Sequence, residues 1–289
     1  MLRITELAFP GLGIGKFEVN SVALTLFGVE IAWYAIFITF GMICAVAYCI
    51  FRAKQVGVGM DDVIDIALFT IPLGIVGARL YYVINAVIEG SQSFKTFFDW
   101  IDIRSGGLAI YGGIVAGAIT VYCVCRFKKI GFLAFADCTM PGVILAQGIG
   151  RWGNFMNGEV FGEHTDIFCR MEIKNTLTGG AVWSVHPTFF YESVWNILGF
   201  AIANLFYCKR KYDGQVFIFL MAWYGLGRCL IEGIREDHMD LTIFGLSLRI
   251  NQVIAGIFFV IFTALFLVLT FRKVHKPLYC KLPEKAKKA

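Results

Sequence analysis

Ile31-Ala-Trp-Tyr-Ala-Ile-Phe-Ile-Thr-Phe-Gly-Met-Ile-Cys-Ala-Val-Ala-Tyr-Cys-Ile-Phe51 contains no charged residue. About 20 apolar residues in helical form are enough to cross the hydrocarbon of a bilayer. Ile250–Phe271 is a second charge-free run and Gly106–Cys125 a third. The whole chain is 58% hydrophobic and only 16% charged, with mean hydropathy +0.70. Soluble domains carry about 25% charged residues. The sequence therefore describes an all-α integral membrane protein. Its seven apolar segments are Gly28–Phe51, Val63–Ile88, Gly106–Cys125, Ile130–Gly150, Pro187–Cys208, Gln215–Ile234 and Ile250–Phe271. Runs of this length without alternation are helices and not barrel strands, because in lipid every backbone group needs an internal partner.

Lysine and arginine in the connections set the orientation. One side collects Arg52, Lys54, Arg126, Lys128, Lys129 and Lys209–Lys211, with the tail from Arg272 on, for a total of 15. The other side holds 9, spread over longer connections. The N-terminus is expected outside and the C-terminus in the cytosol, with 272–289 a basic tail against anionic lipid. The net charge of +5 largely reflects that tail and gives no reason to expect nucleic-acid binding. Met1–Asn20, with Arg3, Glu6, Lys16 and Glu18, does not read as a cleavable signal peptide. The chain reads as one polytopic domain, 1–289, in which 151–186 forms a small extracytoplasmic lobe. Function is expected on that elaborated side.

The nine cysteines lie mostly in apolar segments, with no C-x-x-C pair and no metal-ligand spacing. No metal site is read. The four histidines lie outside the spans, and no two spans offer paired aspartates, which argues against an intramembrane protease.

Charges inside spanning helices are expensive and mark function by default. At about 1.5 Å per residue, Arg79 lies roughly 24 Å into the second segment, near the outer face. Arg228 and Glu232 lie roughly 20 and 26 Å into the sixth. Tyr34, Tyr111, Tyr191 and Glu192 fall within about 9 Å of the outer ends of their segments. Each has a plain explanation. Arg228 and Glu232 make an i,i+4 ion pair, Tyr34 an interfacial aromatic, Arg79 a snorkelling side chain. Their shared depth favours one polar cavity of headgroup height, suited to a phospholipid phosphate. Asp137 lies near the other face and reads as a structural hydrogen-bonder. A headgroup-binding transporter is the competing reading, but the inner halves of the helices are almost bare of polar groups.

At the end of the fourth segment stands Gly150-Arg-Trp-Gly-Asn-Phe-Met-Asn-Gly-Glu-Val-Phe-Gly162. It reads as a glycine-rich turn leaving a helix, with Arg151 offering a planar fork of donors to an oxyanion. This run closely resembles the signature of the bacterial prolipoprotein diacylglyceryl transferases. The resemblance extends to Trp33-Tyr34, Gly77-Ala-Arg-Leu80, Gly106-Gly-Leu-Ala-Ile-Tyr-Gly-Gly113, His186-Pro-Thr-Phe-Phe-Tyr-Glu192 and Arg228-x-x-x-Glu232-x-x-Arg235.

The resemblance implies transfer of the diacylglyceryl group of phosphatidylglycerol to the lipobox cysteine of a prolipoprotein, the first step of lipoprotein maturation. A thioether forms and glycerol phosphate is released, at the outer leaflet of the plasma membrane, with no cofactor. It places Arg151, Asn154, Asn157, Glu159, Gly162, Arg79 and Arg235 around phosphatidylglycerol. Arg228, Tyr111, Tyr34 and Glu232 are the catalytic candidates. Tyr111 departs from the family, many of whose members carry histidine there. A phenol of pKa near 10 is a poor base at neutral pH, so thiol activation is expected from arginine electrostatics.

Overall fold

The computed structural model describes residues 4–90, 97–102, 106–236, 240–243, 246–272 and 277–281. In chain order the elements are β1 (Ile4–Phe9), β2 (Ile14–Asn20), β3 (Val22–Leu26), β4 (Val29–Ala32), α1 (Trp33–Val56), α2 (Met60–Ile88), the short α3 (Phe97–Ile101), α4 (Ile110–Phe127) and α5 (Phe132–Asn157). They continue with β5 (Met171–Lys174), β6 (Trp183–Val185), α6 (Thr188–Tyr207), α7 (Gln215–Glu232), β7 (Asp240–Ile243), β8 (Leu246–Arg249) and α8 (Ile250–Phe271). Among the described residues seven helices, all but α3, are long and apolar enough to cross a membrane. The chain is a multi-pass, mostly helical membrane protein.

The helix ends differ from the sequence expectation in three informative places. The first span begins at Trp33 and not at Gly28, because Val29–Ala32 pairs as a strand with Val22–Leu26. The third begins at Ile110, since Gly106 and Gly107 both take positive φ before it. The fourth does not stop at Gly150. It runs to Asn157, so Arg151, Trp152, Asn154 and Asn157 are helical residues and not part of a turn. The glycines there are notches: a Cβ at Gly153 would lie 2.8 Å from Tyr34 Cδ2, and one at Gly150 would lie 3.1 Å from Ile38 Cδ1.

Contacts divide the chain into two compact units. In the unit 49–136 with 277–289, α2 and α4 meet backbone to backbone, as small residues in membrane helices allow. A Cβ at Gly77 would lie 2.8 Å from Gly112 O, and one at Gly113 would lie 3.4 Å from Gly74 O. Lys128, just past α4, pairs with Asp62 at 2.8 Å and Asp65 at 2.7 Å on α2.

In the unit 1–48 with 137–276, α1 packs on α5 through Gly41 against Ala146 and Gly142 against Ala45. Asp137 is fully buried and accepts from the Gly214 and Phe217 N–H groups at 2.8 Å each. Arg210 Nε lies 3.6 Å from it. Asp137 thus satisfies free donors at the start of α7.

The lobe is larger than residues 151–186. Its sheet has the order β2-β1-β5-β6, all antiparallel, so the N-terminal strands supply half of it. Glu6 lies opposite Lys174 and Leu7 opposite Ile173. The buried face of the sheet, Leu7, Val19, Met171, Ile173 and Val185, closes over Phe161 and Phe189.

Candidate active site

The site is built on one carboxylate. Glu192 lies in the first turns of α6, next to Ser193 and buried with it. One of its oxygens, Oε2, pairs with Arg151 Nη2 near the end of α5. The other, Oε1, accepts from Arg228 Nη1 on α7 at 3.2 Å. Arg228 Nη2 also reaches Glu232 Oε2 at 2.6 Å. The i,i+4 pair expected within α7 therefore exists, and the same guanidinium crosses to α6. Arg235 Nε stands 4.0 Å from Glu232 Oε2. Both carboxylates are nearly sealed from solvent, with 7% and 1% of their side chains exposed. Arg151 and Arg228 keep 22% and 19%, so the open side of the cluster is its cationic side.

Neighbouring amides hold Arg151 from behind. Asn154 and Asn157 both donate to Glu159 Oε1, at 3.2 and 3.0 Å, and Asn154 Oδ1 accepts from Arg151 at 3.4 Å. The three signature residues thus form one network at the end of α5. The chain then reverses through Gly158 and Val160, both at positive φ, and Thr188 Oγ1 donates to Val160 O at 2.6 Å. Gly162 donates its N–H to His186 O and bridges to Arg235. A Cβ at Gly162 would lie 2.6 Å from Ile234 O, so only glycine lets these strands pass. Tyr34, in the first turn of α1, packs on Gly153 between Trp152 and Asn154.

Two electrostatic environments outside the spans are distinctive. Burial, followed by the neighbouring Arg228 charge, holds Arg235 below its ordinary value, yet a guanidinium remains charged at neutral pH. Burial, opposed by Glu163, also holds the His186 imidazole down. Its Nδ1 lies 3.4 Å from Tyr191 OH.

Arg79 and Tyr111 belong to the other unit. Arg79 is buried and donates to four carbonyls, those of Asp99, Trp100, Gly106 and Gly107, at 2.7 to 3.0 Å. It binds down the connection that leads into α4. Tyr111, the second residue of α4, is half exposed.

The family model for prolipoprotein diacylglyceryl transferase matches residues 21–269. This chain belongs to that family. Among similar proteins, the phosphatidylglycerol--prolipoprotein diacylglyceryl transferase of Clostridioides difficile (strain 630) is 41% identical, over 82% of this chain and 90% of its own length. The protein of the same name from Enterococcus faecalis (strain ATCC 700802 / V583) is 39% identical over 84% and 88%. That of Clostridium perfringens (strain 13 / Type A), numbered 1, is 35% identical over 90% and 99%. The family match holds every site residue named here, while β1 and β2 lie before it.

Within this prolipoprotein diacylglyceryl transferase fold, sequence reasoning assigned no role to the residue at the hub. Glu192 stood out by depth and by its place in His186-Pro-Thr-Phe-Phe-Tyr-Glu192, which were the available signals. Arg249 and Asn251 were also missed. Arg249 donates to Glu232 O at 2.9 Å and pairs with Glu163, and Asn251 donates to Glu232 Oε1 at 3.1 Å. Nothing but their place at the start of the last span marked them.

Proposed function

We propose that this chain transfers the diacylglyceryl group of phosphatidylglycerol to a prolipoprotein lipobox cysteine, with Arg151 and Arg228 gripping the donor phosphate. The observation that carries this reading is the Glu192 bridge. Guanidinium groups from α5 and α7 converge on one anion, in the way they would converge on two phosphate oxygens. Among the directly ion-paired groups, Arg151, Arg228 and Arg235 outnumber Glu192 and Glu232 by one positive charge. A phosphodiester brings one negative charge to meet that excess.

The reaction is an alkyl transfer. The cysteine sulfur forms a bond to the terminal glyceryl carbon as that carbon's bond to the phosphate oxygen breaks. The electron pair stays on the oxygen of the departing glycerol phosphate. That phosphate gains an ionisable oxygen, which takes up the proton lost by the thiol. Negative charge therefore grows where Arg151 and Arg228 lie, and fixed donors there lower the barrier. The same positive field favours the thiolate, whose free pKa is about 8.5.

Asn154, Asn157 and Glu159 hold Arg151 in place, and the two asparagines offer their amides to the glycerol hydroxyls. Tyr34 walls the pocket from α1, and Glu232 and Arg235 hold Arg228. Gly162 keeps the lobe close, Arg79 fixes the approach to α4, and the role left to Tyr111 is that of a hydrogen-bonding group and not of a base. The site opens toward the outer leaflet of the plasma membrane. This rests on the lysine and arginine bias of the connections and on the lobe lying at the Arg151 end of α5, where Asn175 donates to Gly158 O at 2.7 Å.

The test is turnover of a lipobox peptide by the purified chain in phosphatidylglycerol nanodiscs. The expected result is a peptide heavier by one diacylglyceryl group, with one glycerol phosphate released per peptide. Arg228→Ala should lower the rate by about 10²–10³-fold or more, the effect of removing an oxyanion donor. A peptide of unchanged mass in the presence of bound phosphatidylglycerol would overturn the reading.

A further inference from the structure

The hairpin β3–β4 is a two-stranded sheet that joins no other among the described residues. Such a hairpin is marginal in water unless something covers an apolar face. Its register places Leu26 opposite Val29 and Leu24 opposite Ile31, with Thr25 opposite Glu30. Opposed residues share a face and neighbours along a strand alternate. One face is therefore Leu24, Leu26, Val29 and Ile31, and the other carries Thr25 and Glu30. The apolar face is open: Leu24 is 42%, Leu26 52% and Val29 65% exposed.

The turn sharpens the point. Phe27 and Gly28 take φ of 50° and 81°, the pattern of a two-residue turn that favours asparagine followed by glycine. A bulky residue at positive φ is a genuine outlier. Phe27 is also 98% exposed, so contacts among the described residues do not account for it.

Continuity says what covers this face. β4 ends at Ala32 and α1 begins at Trp33, with no residue between. The Trp33 N–H donates to Ser21 O at 2.9 Å, closing the base of the hairpin against the start of the helix. α1 is one of the seven spans, and its own open apolar side includes Phe40 and Ile43. The hairpin is thus tied to the end of a helix long and apolar enough to span a membrane, which brings it to the height of the membrane–water boundary.

We propose that β3–β4 is an interfacial paddle. Leu24, Leu26, Phe27, Val29 and Ile31 lie among lipid headgroups and upper acyl chains, while Thr25 and Glu30 face water. The occupant is the bilayer surface and not a second protein. Because Tyr34 follows two residues after the hairpin and packs on Gly153, the paddle also holds the Arg151 end of α5 at a fixed depth. That consequence, unlike the docking itself, rests on Arg151 being the phosphate ligand.

The experiment places the photoreactive residue p-benzoylphenylalanine at position 27, and separately at position 25, in the full chain in phosphatidylglycerol nanodiscs. After irradiation, intact mass is read for both. Phospholipid adducts at 27 at least tenfold above those at 25 are expected. Equal lipid adducts at both positions, no adduct at either, or adducts to a second polypeptide would each overturn the proposal. Lipid cross-linking needs no turnover, so a failed transferase assay leaves this result readable.

Discussion

Trp195 and Trp223 hold each other twice. Each indole Nε1 donates to the backbone carbonyl of the other residue, at 3.0 and 2.9 Å. The rings stack with centroids 4.3 Å apart and 18° between planes. Each tryptophan is followed four residues later by a glycine, and those glycines make the room. A Cβ at Gly199 would lie 2.5 Å from Trp223 Cδ1, and one at Gly227 would fall on Trp195 Nε1. Trp195 lies one turn beyond Glu192, and Gly227 is the neighbour of Arg228. The clasp therefore fixes the register of α6 against α7 at the level where Arg228 meets Glu192.

Gly199→Ala and Gly227→Ala should each cost about 1–3 kcal/mol of stability, the usual range for overpacking. Trp195→Phe keeps most of the ring and loses one hydrogen bond, about 1 kcal/mol. Thermal unfolding in detergent, followed by near-ultraviolet dichroism, gives the order. Turnover should fall in the same order through kcat, because the displaced group is Arg228. A Gly227→Ala protein with wild-type kcat would refute the clasp as a positioning device.

Glu192→Gln removes the charge and keeps the shape. Two guanidinium groups then share a neutral amide, and breaking a buried pair by one partner costs on the order of 3–5 kcal/mol. The cluster also becomes one charge more positive. Glycerol phosphate, more negative than the diester donor, should then bind at least about tenfold tighter, or 1.4 kcal/mol. Product inhibition measured in nanodiscs checks this, with kcat expected to fall and the inhibition constant to drop. An unchanged inhibition constant would mean that product phosphate does not meet this cluster.

The spans were legible because length and lack of charge decide them, as in Ile31–Phe51. The end of α5 was not. Glycine is about 1 kcal/mol worse than alanine in a helix interior, so Gly150, Gly153 and Gly158 read as a turn. Only Gly158 is one, at φ 63°. Gly150 and Gly153 remain helical because α1 lies against them, a reason that exists only in three dimensions. The pairing of Ile4–Phe9 with Met171–Lys174 was hidden likewise, since strands so far apart in sequence carry no local register signal. The i,i+4 spacing of Arg228 and Glu232 allows the ion pair that the structure shows, but neither spacing nor depth can show that Glu192 is what joins Arg228 to Arg151.

Gly153→Ala tests the contact between α1 and α5. The added carbon would sit 2.8 Å from Tyr34 Cδ2 and 3.1 Å from its Cα, and the backbone atom cannot rotate away. Tyr34 or Arg151 must move by several tenths of an ångström. Turnover should fall by about 10-fold or more, as small misplacements at a reacting centre do. Tyr34→Phe leaves the ring contact intact and should retain the fold. The apparent KM for phosphatidylglycerol, measured against kcat, separates loss of grip from loss of chemistry. Wild-type kinetics in Gly153→Ala would remove Tyr34 from the site.

The lobe should loosen in mild acid. Burial holds the His186 imidazole below its ordinary value, so the folded state favours the neutral ring. Unfolding exposes it to water, where its pKa returns to about 6.5. The unfolded chain then binds more protons, and stability rises with pH through that window. The contribution is whole above pH of about 6.5 and declines as pH falls from there toward the lowered folded value. His186 O also accepts the Gly162 N–H, so the loss is felt where the lobe joins the site. Amide exchange of residues 160–186 should therefore quicken between pH 7 and pH 5, after correction for intrinsic rates. His186→Gln, which cannot take up the proton, should flatten that dependence. An equally steep response in the variant would assign the acid sensitivity to another group.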